Sequence, residues 1–317
     1  MALAGIQGVV CCGNVVFDIA VWPVVDLNWN TTTWVESISE GIGGNGANTS
    51  TTLAKLGVPV GLLSVVGDDE IGARLLEILR TNGVDIGSVS TVPGERTPCT
   101  TVLVHRGGDR KFLHRPGASR NMVLSQVDLA PRAGFSHFHL ANPFALPSLR
   151  SETGDLMRRA KEAGYTTSID TGWDSKERWM LDLSPALPYT DLLFANDAEA
   201  RLLGGSTDVN AAVAQIQKNG VPDIVVKTGP SGCTLYCNGV SDEVAGFQVS
   251  AVDTTGAGDC FAGAFLAGIA QGWSYRKSAE FANAVGAMNV EHIGAINGVL
   301  SLEKTQQWMH SHRSPPA

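Results

Sequence analysis

The sequence predicts an α/β protein: a doubly wound, mostly parallel sheet flanked by helices, carrying a small β-sheet appendage. Three observations predict it. From residue 135 onward, short apolar runs alternate with helix-length amphipathic segments, the rhythm of a parallel sheet covered on both faces. Two glycine-rich loops, at 41–46 and 253–258, each run directly into a helix-like segment. Residues 19–39 and 97–114 instead read as half-exposed strands outside that rhythm, which implies a separate small sheet. The 317 residues suit one large domain, 1–317, with ample core, and 44% hydrophobic with 17% charged residues is ordinary for a globular chain. A net charge of -8 argues against nonspecific binding to nucleic acid or anionic membranes and leaves room for a local basic site. No apolar stretch reaches the roughly 20 residues of a transmembrane helix, and the first residues lack the basic segment of a signal peptide. Six cysteines in a chain this long do not make a disulfide framework, and Cys233 and Cys237 lack two further zinc ligands. The cytoplasm is the expected compartment.

The elements follow in order. Residues 9–16 form an apolar run ending near Asp18, a buried first strand. Residues 19–39 include TTTWVESIS, whose β-branched and aromatic residues partly alternate. A glycine-rich turn at 41–46 leads into a helix at 47–56, closed by Gly57. Residues 60–66 read as another buried strand. Residues 68–81 read as a helix with Ile71, Leu75, Leu76 and Leu79 on one face and Asn82-Gly83 as its stop. Strands at 97–104 and 111–113 flank Gly107-Gly108-Asp109, a hairpin turn. Further strands are expected at 135–140, 166–170, 192–195 and 224–227, and helices at 147–163, 197–203, 209–219, 259–270, 274–289 and 302–310. A hairpin pairs 233–237 with 243–249, and the tail SHRSPPA reads as frayed.

The first loop, Gly41-Ile42-Gly43-Gly44-Asn45-Gly46, matches G-x-G-x-x-G, with Asp68 and Asp69 about 20 residues beyond, where a dinucleotide fold places its ribose acid. An NAD-dependent dehydrogenase is therefore one reading, weakened by the polar residues 37–40 where a buried strand should precede the loop. Asn45 and Asn48, three apart, can present amides on one side of the helix start, as a sugar-hydroxyl site needs. A simple helix cap is the plainer reading of Asn48. The second loop and its helix read DTTGAGDCFAGAFLAGIA. Gly256 and Gly258 allow close backbone approach, and the N–H groups and dipole of the helix favour an anion. Yet Asp259 stands in its first turn, and no Walker A lysine follows. A carboxylate beside an anion cradle makes sense where charge develops during reaction: the N–H groups stabilise a transferring phosphoryl group while Asp259 takes the proton of the attacking hydroxyl. The dipole and donors should keep Asp259 ionised. An ordinary acid favouring the dipole is the structural alternative.

Together the stretches GIGGNGANTSTTLAKLG and DTTGAGDCFAGAFLAGI resemble the two signatures of the ribokinase-like, phosphofructokinase-B type of sugar and nucleoside kinases, and the resemblance covers nearly the whole chain. It implies a β-lid over a sugar, ATP with Mg²⁺, Asp259 as catalytic base, and Gly256, Ala257 and Gly258 as the anion hole. It places Asp18, Gly44, Asn45, Asn48 and Asn142 against the sugar; Arg115 falls in a lid-side stretch within reach of substrate, with a solvent-facing charge as the alternative. Ribokinases proper have Lys at the position of Asn45 and Glu near that of Asn142, so ribose itself is not the expected substrate. The resemblance puts Asn196, Glu199, Lys227, Gly229 and Asn283 on the nucleotide side, Glu199 near Mg²⁺, and Asp253 with the 291–297 loop beside a monovalent cation such as K⁺. Taken alone, Asn196-x-x-Glu199 reads as a helix cap, and Lys227 as a snorkelling lysine. The expected reaction is ATP-dependent phosphorylation of a sugar. A nucleoside kinase, with Trp22, Trp29, Trp34 or Phe112 supplying a base-stacking lid, and a non-catalytic sugar- or nucleotide-binding regulator are the alternatives. Unpaired lid edges imply a homodimer through the lid.

Overall fold

A computed structural model describes residues 3, 5–107 and 110–312. The chain opens with β1 (Val9–Cys12), which is fully buried. It then breaks at Gly13-Asn14 and crosses into a different sheet as β2 (Val16–Trp22). The apolar run 9–16 is therefore the end of one strand and the start of another. A Cβ on Gly13 would fall 2.7 Å from the Gly46 Cα, so the break is a close backbone crossing. β3 (Ser37–Gly43) follows, then α1 (Asn45–Lys55), β4 (Val60–Gly67), α2 (Glu70–Thr81), β5 (Asp85–Val92), β6 (Cys99–Val104) and β7 (Arg110–Arg115). The second half contains β8 (His137–Ala141), α3 (Thr153–Glu162), β9 (Thr166–Asp170), α4 (Trp179–Leu183), β10 (Leu192–Asn196), α5 (Asp197–Gly204), α6 (Val209–Lys218) and β11 (Asp223–Lys227). β12 (Gly232–Cys237), β13 (Val240–Ala245), α7 (Ala257–Ala270), α8 (Tyr275–Val290) and α9 (Leu302–His312) complete it.

The large sheet has the order β13-β12-β11-β10-β9-β8-β1-β4-β5, parallel throughout except for the antiparallel β11-β12-β13 edge. Its central strands, β1, β4 and β8–β11, bury both faces, which explains their continuous apolar runs. On β1, Val9 and Cys11 enter one core with α1, α2, α7 and α8, while Val10 and Cys12 enter the other with α3, α5 and α6. The small sheet has the order β3-β2-β6-β7, with β2 and β6 parallel and the outer pairs antiparallel.

Several boundaries differ from expectation. Residues 31–36 form no strand, and Gly41-Ile42-Gly43 belongs to β3, so only Gly44, with φ 93, makes the turn. β5 lacks a clear apolar alternation because it is a half-exposed edge strand, and α4 is too short to show a period. The helix expected from 147 begins at Thr153, after a 3-10 turn. The second hairpin strand is Val240–Ala245, not 243–249. Ser311 and His312 continue α9, while 313–317 and the turn residues Gly108 and Asp109 lie outside the described residues. The six cysteines are free, and no helix among the described residues is long and apolar enough to cross a membrane.

Candidate active site

The carboxyl ends of the parallel strands meet the inner face of the small sheet across a cleft of about 900 Å³. This is where an open α/β sheet places its ligands. At its floor lies the first turn of α7. Gly256 caps that helix in the left-handed region, φ 71, and a Cβ there would fall 2.3 Å from the Ala295 carbonyl oxygen. α7 is apolar on every side and buried along nearly its whole length against α8 and α1. Gly263 is the contact point with α1: a Cβ would come 3.0 Å from the Thr49 carbonyl oxygen. That close approach delivers two amides to Asp259. Asn45 Nδ2 donates to Oδ1 at 2.7 Å and Asn48 Nδ2 to Oδ2 at 2.8 Å.

The network extends outward. Asn142, in the left-handed region just beyond β8, donates from Nδ2 to Asn45 Oδ1 at 2.9 Å. Asn14 Oδ1 accepts from the Asn45 backbone N–H at 2.8 Å, taking the part of a cap that Gly44 cannot play. Asn48 is thus inside the helix and does not cap it. Asn48 Oδ1 and Asn142 Oδ1 are buried without a partner. Burial pushes the Asp259 carboxyl up, while Asn48, Asn45 and the Lys227 charge pull it back, and the net shift is upward. Desolvation thus works against the donors and the dipole expected to keep Asp259 ionised.

On the other side of the cleft, Lys227 Nζ donates to both oxygens of Asp170 at 2.8 and 2.9 Å. Burial pushes Asp170 up to about 7; the Lys227 charge opposes this, and Glu199 and Asp259 add to it. Burial pulls the Lys227 amine down, but Asp170, Glu199 and Asp259 outweigh it and hold the ammonium. Lys227 is therefore ion-paired and does not snorkel. Asn196 and Glu199 form a reciprocal capping box at the start of α5, and both also line the cleft. Asn283 Nδ2 donates to the Val244 and Ala245 carbonyls at 3.1 Å, fixing the end of β13, and Gly229 turns with φ 61 nearby.

The cleft brings together Asp18, Gly44, Asn45, Asn48, Asn142, Asn196, Glu199, Lys227, Gly229, Asn283, Gly256, Ala257, Gly258 and Asp259. Two expected residues do not line it. Arg115 is exposed and donates to the Thr97 carbonyl at 3.1 Å. Side chains alternate faces along a strand, and on β7 it is Arg110, Phe112 and His114 that line the cleft. Asp253 lies behind the loop: Oδ1 accepts from the Thr255 N–H and hydroxyl at 2.9 and 2.6 Å, and Oδ2 from the Gly294 N–H at 2.9 Å. Sequence reasoning missed Asn14, Thr100, Arg110, His114 and Asp170. Arg110 Nη1 donates to Thr255 Oγ1 at 3.1 Å, tying the small sheet to the glycine loop. Asp170 was findable, since it ends a buried parallel strand at the ligand edge of the sheet. The dehydrogenase reading fails on geometry. Its loop is led by a strand of the small sheet, and Asp69 caps α2, accepting from Gly72 N–H at 2.8 Å.

Residues 7–302 match the family model described as "pfkB family carbohydrate kinase". The chain belongs to the pfkB family of carbohydrate kinases. It is a phosphotransferase with an alcohol acceptor, and its pfkB fold is ribokinase-like. It is 33% identical over 271 residues to "Fructokinase-1" of Oryza sativa subsp. japonica, covering 80% of this chain and 84% of that one. It is 32% identical over 282 residues to "ATP-dependent ribose-1-phosphate kinase" of Halopiger xanaduensis, covering 85% and 91%. Among solved structures, a putative ribokinase II from E. coli in complex with ATP and Mg²⁺ superposes with a TM-score of 0.86 at 26% identity, over 96% of this chain and 100% of that one.

Proposed function

We propose that this pfkB kinase transfers the γ-phosphoryl group of ATP, with Mg²⁺, to a hydroxyl of a sugar, with Asp259 as the base. One observation carries the reading: a buried carboxylate stands in the first turn of α7, beside the N–H groups of Gly256, Ala257 and Gly258, on the floor of the cleft. The small sheet acts as a lid. Asp18, Gly44, Asn45, Asn48 and Asn142 hold the acceptor, and Asn45 and Asn48 aim the carboxylate. Asn196, Glu199, Lys227, Gly229 and Asn283 form the nucleotide side. Magnesium asks for one or two carboxylates plus phosphate oxygens; Glu199 at the cleft wall would supply the carboxylate near it, since both oxygens of Asp170 are taken by Lys227. Mg·ATP supplies the phosphoryl group and the counter-charge. The acceptor O–H gives its proton to Asp259 as its oxygen bonds to phosphorus and ADP leaves, while the loop N–H groups face the charge on the phosphoryl oxygens. We also propose that Asp253, whose Oδ2 accepts from the Gly294 N–H, helps to hold a monovalent cation behind the loop.

ADP release from Mg·ATP, measured against a panel of sugars and nucleosides in K⁺ and in Na⁺, tests the proposal beside Asp259→Asn. Turnover with a sugar that is lost in the variant is expected; no turnover with any acceptor would overturn it. A nucleoside acceptor is the second reading, favoured by Phe112, Phe144 and Trp173 in the cleft wall. Trp22, Trp29 and Trp34 do not line the cleft and contribute nothing to it. Competition between adenosine and the best pentose or hexose separates the two. For the assembly we propose a homodimer through the lid.

A further inference from the structure

Asp18 on β2, Thr100 on β6 and His114 on β7 stand directly opposite one another in the strand register. All three line the cleft, so they form one polar row across three strands of the lid. His114 Nδ1 lies 2.9 Å from Thr100 Oγ1, a hydrogen bond whose direction follows the tautomer, and Thr100 is the register partner of Asp18 on the next strand. A hydroxyl carries one hydrogen. With the ring proton on Nδ1, Thr100 Oγ1 accepts from it and keeps its own hydrogen for the Asp18 side of the row. Desolvation lowers the His114 pKa, which favours the neutral ring. Nε2 is then a bare acceptor. The row offers the cleft two acceptor groups, Asp18 and His114, carried on strands about 9–10 Å apart, two inter-strand spacings. Phe112, two residues away on the same face, is apolar, so His114 supplies the polar atom at that end of β7.

We propose that His114 is a specificity-determining residue, accepting through Nε2 a hydrogen bond from an acceptor hydroxyl remote from the one phosphorylated. Thr100 is the positioning residue that fixes the tautomer. The inference rests on the sugar-kinase reading above. It implies an acceptor with a second hydroxyl far enough from the reacting one to reach β7.

The test uses the best acceptor from the panel, its analogue lacking the remote hydroxyl, and His114→Phe, His114→Gln and Thr100→Val. His114→Phe should raise KM for the acceptor by about 10–100-fold, the loss of one well-placed hydrogen bond, with kcat within threefold and KM for ATP unchanged. His114→Gln, whose amide keeps an acceptor, should recover most of the loss, and Thr100→Val should show part of it. The deoxy analogue should bind the wild type and His114→Phe about equally, because the interacting pair is already broken. An acceptor KM that does not move, or a loss equally large for the deoxy analogue, would overturn the assignment while leaving the kinase intact. A wild type that turns over no acceptor removes both.

Discussion

Asp259 sits between opposing influences, and their balance predicts its behaviour. Burial raises its pKa, while two amides and the Lys227 charge favour the carboxylate. Since the base must be ionised to accept a proton, kcat should fall toward acid with a midpoint above the ordinary aspartate value of about 4. Asp259→Asn is isosteric and keeps the loop, so its effect should be confined to chemistry. Turnover should drop by roughly 10²–10⁴ with KM for ATP changed little, and the acid limb should vanish from the residual rate. Steady-state kinetics between pH 4 and 9 checks both, and near-normal turnover would exclude Asp259 as base. Asp18 gives a stability counterpart. Burial pushes it up to about 7, with a Thr100 hydrogen bond opposing and Asp259 and Asp253 adding to the rise. Its folded pKa exceeds its unfolded one, so between about pH 4 and pH 7 the folded state holds a proton the unfolded chain has released, and its contribution to stability is lost as pH rises. Asp18→Asn should therefore be the more stable protein at pH 8, by up to about 4 kcal/mol, and lose that advantage by pH 4; urea denaturation at the two pH values measures it.

The glycine loop and α7 act as one element, and its geometry can be probed by a matched pair of substitutions. Gly256 and Gly229 both turn in the left-handed region beside the cleft. A Cβ at Gly256 would strike the Ala295 carbonyl, whereas one at Gly229 has nothing within 4 Å. Gly229→Ala should cost about 1 kcal/mol from backbone strain alone. Gly256→Ala should cost clearly more and depress kcat as well, because the loop must shift off Ala295; equal losses in denaturation midpoints would contradict this. The same contrast explains what was legible in the sequence. The loop, Asp259 and the helix after it are contiguous, so their chemistry could be read locally. So could β4, α2 and β8–β11, whose apolar runs and stops are strong. The break at Gly13-Asn14 was not readable, because apolar residues continue through it and only the tertiary contact with Gly46 forces the chain into the second sheet. On β7, five of six residues are exposed, so no hydrophobic pattern reports which face looks inward. The sequence points to Arg115, whereas Arg110 and His114 face the cleft, a one-residue difference in phase. Asn142, Asn45, Asn48 and Asp259 meet across three elements far apart in the chain, and that convergence exists only once the sheets are assembled.

At the scale of the whole molecule, the two sheets divide the work and differ in how they meet solvent. The large sheet is covered by helices on both faces, while the small one shelters the cleft on one side only. Its outer side and the 23–36 connection expose Leu27, Trp29, Trp34, Ile38 and Leu113, with Trp29 95% and Trp34 90% accessible. Its edge strands, β3 and β7, leave backbone groups unpaired. Exposed apolar side chains gathered on one small sheet and its connection mark an interaction site, and a second copy of the lid offers both matching apolar residues and a complementary edge. A lid-to-lid homodimer would hold β3 and β7 in place over the acceptor and couple assembly to catalysis. Light scattering at micromolar concentration should therefore give twice the chain mass. The double variant Trp34→Glu, Leu113→Glu should halve it without altering the far-ultraviolet circular dichroism, since both side chains lie outside the core. KM for the acceptor should rise in the monomer, because the lid would then close without support, while KM for ATP should stay as it is. A wild type that scatters as a monomer would remove the lid pairing and leave the exposed tryptophans to some other partner.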